Sequence, residues 1–344
     1  MKVLTCYSSE DIRIEDRPVP DIGDDEVLLK TVYCGLCGTD IVKIANPGVK
    51  KPVPLGHEVV GLVEKTGANV EKFKNDDFLA VSHHIPCFDC VYCDHLNFSM
   101  CRHFRNTNIY PQGFSEYIRL SAEHIKYNAF LIEDEKYLKN AVFMEPAACC
   151  LRAVGRLNIK NGDSILVIGC GTIGIIFISL LRFLFRVRIA AVDIDDCKLS
   201  TAERFGAELI TNPEIQDTVS SIKSFSDTGF DAAILTYTSQ GTVSTAMEAI
   251  RAGGIILVFA GPSGEWKISV DFESLYKNEV MLLSSYSASP QSCSKSFELL
   301  KDGKIDYTPI ISGVFPVEDF REGLEMALSQ KYFKIIYYFD GQFK

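Results

Sequence analysis

Residues 165–181 read ILVIGCGTIGIIFISLL, an uncharged run in which Gly169, Gly171 and Gly174 interrupt two aliphatic blocks. As a membrane span it is too short. A crossing helix needs about 20 apolar residues, and Arg182 closes this run early. A buried strand over Ile165–Ile168, a glycine turn and a buried helix opening at Gly174 explain it better. In the turn Gly169-Cys170-Gly171-Thr172-Ile173-Gly174, the first glycine permits the sharp bend. The second lets backbone N–H groups approach a pyrophosphate, and the third lets the helix pack on the strand. The helix N-terminus adds partial positive charge for the phosphates. Asp193 ends the next strand nineteen residues past Gly174, where a carboxylate accepts from ribose hydroxyls and repels a 2′-phosphate. No Lys or Arg follows it until Lys198, so NAD is favoured over NADP.

The pattern around this run repeats. Strand-like runs Ile165–Ile168, Ile189–Val192, Ala232–Leu235, Ile255–Phe259 and Val280–Ser284 alternate with helical stretches such as Lys198–Phe205 and Thr242–Ile250. That alternation predicts a doubly wound parallel sheet of the Rossmann type, covered on both faces, over residues 151–288. Residues 1–150 differ in texture: short strands at Val27–Leu29, Val59–Val63 and Phe78–Val81 are broken by Gly, Pro and Asn. Residues 289–344 hold a helix-like Phe320–Leu328 and a strand-like Ile335–Tyr338. They are too few for a domain and are expected to complete the first lobe. The fold class is therefore α/β, a Rossmann domain with a second, β-rich domain built from both chain ends.

Composition sets limits. Of 344 residues, 47% are hydrophobic and 23% charged, as suits a globular chain with a large core rather than a disordered one. The net charge of −10 disfavours nucleic acid, whose phosphates call for a basic surface. The first twenty residues, MKVLTCYSSEDIRIEDRPVP, contain no apolar signal-peptide core, so a cytoplasmic protein with reduced cysteines is expected. No membrane partner is expected either.

Twelve cysteines then need another explanation. Cys87, Cys90, Cys93 and Cys101 follow a C-x2-C-x2-C-x7-C spacing, and four thiolates so placed can close a tetrahedron around Zn²⁺. A ferredoxin-type cluster is the rival, but no Pro follows Cys101. A closed four-sulfur site is structural. Cys37-Gly38-Thr39-Asp40, Gly56-His57-Glu58 and Glu145-Pro146 are each bland alone. Together they offer one sulfur, one nitrogen and up to two carboxylates, a set suited to a zinc with an exchangeable position.

Taken in order, these motifs, with Gly113-Phe114-Ser115-Glu116-Tyr117 and the glycine turn, resemble the zinc-dependent medium-chain alcohol dehydrogenases. The branch is that of sorbitol, polyol-phosphate and threonine dehydrogenases. The resemblance implies a GroES-like catalytic domain and two Zn²⁺ per chain. It implies Cys37 and His57 as catalytic-zinc ligands, with Glu58 near or on the metal and Glu145 binding directly or through water. Cys87, Cys90, Cys93 and Cys101 would hold the structural zinc. Gly169, Gly171, Thr172, Ile173, Gly174 and Asp193 would hold the cofactor, and Thr39 would pass a proton from the substrate towards solvent. The implied reaction moves a hydride between a secondary alcohol (a polyol, sugar alcohol or similar small molecule) and NAD. A homo-oligomer, dimer or tetramer, is implied as well.

The sequence departs from the pattern in places. Val42 stands where some relatives complete a proton relay with His, Gly38 where some carry a phosphate-gripping Arg, and Asp76-Asp77 where Gly-Asp is usual. A zinc- and NAD-binding protein without turnover, and an NADP-linked reductase of the same family, are the alternatives. His83-His84 read as cleft-lining or structural. Substrate contacts are expected from 43–55, 105–112 and 284–290, and Lys50, Lys51, Arg102 and Arg105 are the cations a substrate phosphate would want.

Overall fold

The glycine-punctuated run folds as strand, turn and helix. In the computed structural model, which describes residues 1–261 and 267–343, Ser164–Ile168 is a fully buried strand. Thr172–Leu184 is the helix that follows. Among the described residues no helix is long and apolar enough to cross a membrane. The chain divides into two compact units, Met1–Ala148 with Ala288–Lys344, and Cys149–Ser287.

The Cys149–Ser287 unit is built on a six-stranded parallel sheet. Across it the strands run Leu209–Thr211, Arg188–Val192, Ser164–Ile168, Phe230–Leu235, Ile250–Val258 and Met281–Ser284. In chain order that is third, second, first, fourth, fifth, sixth, the doubly wound Rossmann arrangement. Helices cover the sheet, so Leu166, Ile168, Ala190, Val192, Ala233, Leu235 and Ile256 pack in one core. Two helices start earlier than the apolar pattern suggests, because polar caps lengthen them. Asp195 accepts from the N–H groups of Cys197 and Lys198 ahead of Asp196–Arg204, and Ser239 caps Gln240–Ala249.

The other unit centres on a seven-stranded sheet. Its path runs Ile311–Pro316, Lys334–Tyr338, Val27–Gly35, Glu58–Thr66, Phe78–Val81 and Ala129–Ile132, with Tyr117–Leu120 also paired to Val27–Gly35. The late strand Lys334–Tyr338 lies antiparallel to Val27–Gly35, with Ile336 opposite Gly35 and Tyr338 opposite Tyr33. This register carries residue 334 to the neighbourhood of residue 58, since Gly35 also faces Glu58. The Asp76-Asp77 departure is absorbed locally. Asp76 takes φ +71°, the left-handed conformation a glycine would have supplied, and its N–H donates to Val63 O.

Candidate active site

Among the described residues two clusters of metal-type donors form, both in the larger unit. In the first, Cys87, Cys90, Cys93 and Cys101 bring their Sγ atoms within 4.8 Å of one another. Cys101–Cys87 is 3.5 Å, Cys90–Cys93 3.6 Å and Cys87–Cys93 3.9 Å. A tetrahedron with Zn–S bonds of about 2.3 Å has edges of about 3.8 Å, so the four sulfurs fit one zinc. The lobe around them has a small core of its own, in which Cys93 and Cys101 pack with Phe98 and Phe104. Burial opposes ionisation of Cys101, but the N–H groups of Cys87 and Phe104 outweigh it and bring the thiol down to about 6.

The second cluster draws Cys37, His57 and Glu58 to within 4.8 Å of one another from two separate segments. Cys37 sits before the helix Gly38–Ala45, and Glu58 opens the strand Glu58–Thr66. Gly56, at φ +87°, makes the bend that delivers His57, and a Cβ there would strike Phe114. Asp40 organises the group from beneath. Fully buried, its Oδ1 accepts from the N–H of Gly56 (2.9 Å), its Oδ2 from the N–H of Cys37 (3.2 Å), and Oδ1 lies 3.6 Å from His57 Nδ1. Burial would keep Asp40 protonated. His57, Lys43 and the Gly56 N–H outweigh it and hold the carboxyl below its ordinary range. With Nδ1 facing this carboxylate, His57 keeps its other nitrogen for a metal, the usual second-partner arrangement of a ligating imidazole. Sulfur, nitrogen and oxygen donors at this spacing fit Zn²⁺ and leave room for an exchangeable ligand.

Glu58 has a partner the sequence did not announce. Lys334 Nζ donates to both carboxylate oxygens, at 2.6 and 2.8 Å, and to Leu36 O at 3.2 Å. Both side chains are almost fully buried. Burial alone would pull the lysine down, but Glu58, with Cys37 and Glu145 behind it, more than restores it and raises it above its usual value. Gly35 makes the space, because a Cβ there would collide with Glu58 Oε2. Lys334 and Gly35 are residues sequence reasoning missed, and Asp40, present in the Cys37-Gly38-Thr39-Asp40 motif, carried no role there. The available signal was a lysine heading the strand KIIYY, whose five residues are all buried.

The remaining expected residues fall nearby. Thr39 Oγ1 lies 3.7 Å from Cys37 Sγ on an exposed surface. Glu145, buried in the first turn of the helix Met144–Val154, stands outside the mutually close donors, yet its charge reaches Lys334 and Cys293. His83 packs at a tilt against His57 with ring centres 4.7 Å apart, and His84 packs at a tilt against His83 at 3.9 Å. Burial drives both imidazoles down, His84 to about 4, so both are neutral at pH 7. His84 Nδ1 meets Thr107 O at 2.5 Å, and its carbonyl accepts from Asn128.

In the other unit Gly169 holds φ +96°, a conformation that side chains rarely adopt. Gly171 caps the helix Thr172–Leu184, and the space where its Cβ would stand is open. A Cβ on Gly174 would collide with Gly169 O. Thr172 and Ile173 begin the helix, whose first N–H groups lack helical acceptors and face an anion naturally. Asp193 Oδ2 accepts from Cys170 N–H at 2.6 Å and Oδ1 from Asp195 N–H at 3.0 Å, which fixes the carboxylate beside the turn.

Comparison with known proteins agrees with both halves. Residues 23–128 match the alcohol dehydrogenase GroES-like domain, and 172–302 match the zinc-binding dehydrogenase domain. The chain belongs to the zinc-dependent medium-chain alcohol dehydrogenase family. It is 28% identical to sorbitol dehydrogenase of Bacillus subtilis, over 96% of this chain and 94% of that one. It is 27% identical to L-idonate 5-dehydrogenase of Vitis vinifera, over 92% and 88%. An alcohol dehydrogenase from Thermus sp. ATN1 shares the fold with a TM-score of 0.87 at 22% identity, over 98% of this chain and 99% of that one.

Proposed function

We propose that the protein is a zinc-dependent oxidoreductase that transfers a hydride between a secondary alcohol of a polyol, sugar alcohol or similar small molecule and NAD. The observation that carries this reading is the meeting of Cys37, His57 and Glu58 donors within 4.8 Å, in a chain that also has the glycine turn. The names of the relatives, a sorbitol and an idonate dehydrogenase, support the substrate class.

Each residue has a role in the proposal. Cys37, His57 and Glu58 hold the catalytic zinc, with Asp40 orienting His57, Lys334 restraining Glu58, and Glu145 close by as a further carboxylate. Cys87, Cys90, Cys93 and Cys101 hold the structural zinc. Zinc supplies Lewis acidity that lowers the pKa of a substrate hydroxyl, and the nicotinamide is the hydride acceptor. The Thr39 hydroxyl receives the substrate proton and hands it on. Because position 42 is Val, the path beyond Thr39 runs through water, the cofactor ribose or another residue. Gly169, Gly171, Gly174 and the first N–H groups at Thr172 and Ile173 receive the pyrophosphate, and Asp193 takes the ribose hydroxyls. The Asp193 charge, with Asp195 and Asp196 after it, supports NAD over NADP.

A homo-oligomer is part of the proposal. Met281–Ser284 is an edge strand, and Met281, Leu282 and nearby Tyr286 are exposed, a surface that suits a second copy. A cytoplasmic location is supported by the free cysteines, which call for a reducing compartment.

The test is a panel of polyols, sugars, threonine and simple alcohols with NAD and NADP, read by nicotinamide absorbance, beside a zinc count. Two zincs per chain with polyol-dependent NAD reduction is the expected result. A folded protein holding one zinc or none, or one inert to every alcohol, overturns the reading.

A further inference from the structure

Two segments expected to touch substrate, 43–55 and 105–112, meet at one pair of side chains. Lys43 Nζ lies 3.5 Å from Gln112 Oε1. Lys43 stands one turn after Thr39 on the helix Gly38–Ala45, so the two share a face. Its side chain is only 25% exposed. Among the described residues its one carboxylate neighbour is Asp40, at 4.0 Å. That carboxylate is already engaged with the N–H groups of Gly56 and Cys37 and faces His57. Lys43 is therefore a half-buried ammonium whose one described carboxylate partner, Asp40 at 4.0 Å, is shared with His57 and two backbone N–H groups.

Of the other cations, Lys50 and Arg102 are exposed, and three more are engaged by protein acceptors. Lys51 Nζ donates to Ile44 O at 2.7 Å, Arg105 to Ser99 O at 3.1 Å, and Lys334 to Glu58. A partly dehydrated lone ammonium attracts an anion more strongly than one in bulk water. It also comes with an amide, Gln112, that can turn a donor towards the same anion.

We propose that Lys43, assisted by Gln112, anchors a carboxylate carried by the substrate, so that polyhydroxy monocarboxylic acids are preferred over neutral polyols. One ammonium and one amide balance a single negative charge. A phosphate dianion would be left under-neutralised, and a neutral polyol would leave the ammonium with only its share of the Asp40 carboxylate at 4.0 Å. The inference rests on the dehydrogenase reading above and narrows its substrate class.

The test uses the zinc-loaded protein, hexonates and hexitols of matching configuration, and hexitol phosphates, with kcat and KM measured for the wild type, Lys43→Met and Lys43→Arg. Binding of the same compounds is followed by calorimetry. The wild type should prefer hexonate over the matched hexitol in kcat/KM by about tenfold or more. Lys43→Met should erase that preference through KM, and Lys43→Arg should keep most of it. Preference for a hexitol or a hexitol phosphate, or an equal loss on acid and polyol in Lys43→Met, overturns the proposal. If no compound is turned over, the dehydrogenase reading falls, and calorimetry decides Lys43 separately. Hexonate binding weakened about tenfold in Lys43→Met supports the anchor, whereas unchanged or absent binding rejects it.

Discussion

Lys334 Nζ sits 2.6 Å from one oxygen of Glu58 and 2.8 Å from the other, joining residues 276 positions apart in a buried ion pair at the candidate zinc site. A carboxylate has lone pairs enough to serve a lysine and a metal together. The pair thus sets where Glu58 can go. It holds the carboxylate next to Cys37 and His57 while limiting how far it can swing.

Removing the lysine should therefore damage both stability and metal binding. Lys334→Met leaves a buried carboxylate without its cation, a change that costs about 3–5 kcal/mol in comparable pairs. Urea unfolding should show the loss as a lowered midpoint, and zinc analysis should show the catalytic metal weakened while the four-cysteine metal stays. A variant with wild-type midpoint and full zinc content would contradict the role given to this pair.

The two zinc clusters should respond differently to loss of a thiolate. Cys93→Ser removes a ligand from a lobe whose own core is small, so one zinc should be lost and the 87–101 segment should become open to protease. Cys37→Ser should also lose one zinc, but the seven-stranded sheet has its own strand pairing and apolar core, so thermal unfolding should barely change. Equal destabilisation by both would count against assigning separate structural and catalytic sites.

Thr39 gives a test that spares the metal. Thr39→Val keeps shape and removes the hydroxyl, so kcat should fall by about 10²–10⁴ with zinc content intact, and Thr39→Ser should recover most of it. An undiminished kcat would place the proton path elsewhere.

The charge on Asp193 should decide between cofactors. Asp193→Asn keeps an oxygen acceptor for Cys170 N–H but removes the repulsion towards a 2′-phosphate. The ratio of kcat/KM with NAD to that with NADP should fall by about tenfold or more, mainly through the KM for NADP. A ratio that does not move would shift the discrimination to other residues.

Much of the fold was legible because its signals are local. The strand Ser164–Ile168 and helix Thr172–Leu184 are written in one aliphatic run with three glycines, of which Gly169, by its φ, and Gly174, by its approach to Gly169 O, are needed for local steric reasons. The four cysteines lie within fifteen residues, so their spacing already limits how they can meet. Helix starts were harder, since the caps Asp195 and Ser239 lie outside the apolar periodicity. Lys334 was not legible as part of a site. A lysine at the head of a strand ordinarily reaches solvent, and nothing near it in the chain names Glu58 as its partner.

By itself the sequence determined the class of fold, the glycine turn with Asp193 after it, and the donor types available for metal, because hydrophobic period, steric need and ligand chemistry belong to individual residues. The tertiary structure alone decided which donors meet. Pairing of Lys334–Tyr338 with Val27–Gly35, and of Val27–Gly35 with Glu58–Thr66, brings Lys334 to Glu58. The bend at Gly56 sets His57 over Asp40, and the helix Gly38–Ala45 turns Lys43 towards Gln112. Those contacts depend on strand register and helix phase, which are fixed only when distant segments bury their apolar faces against one another.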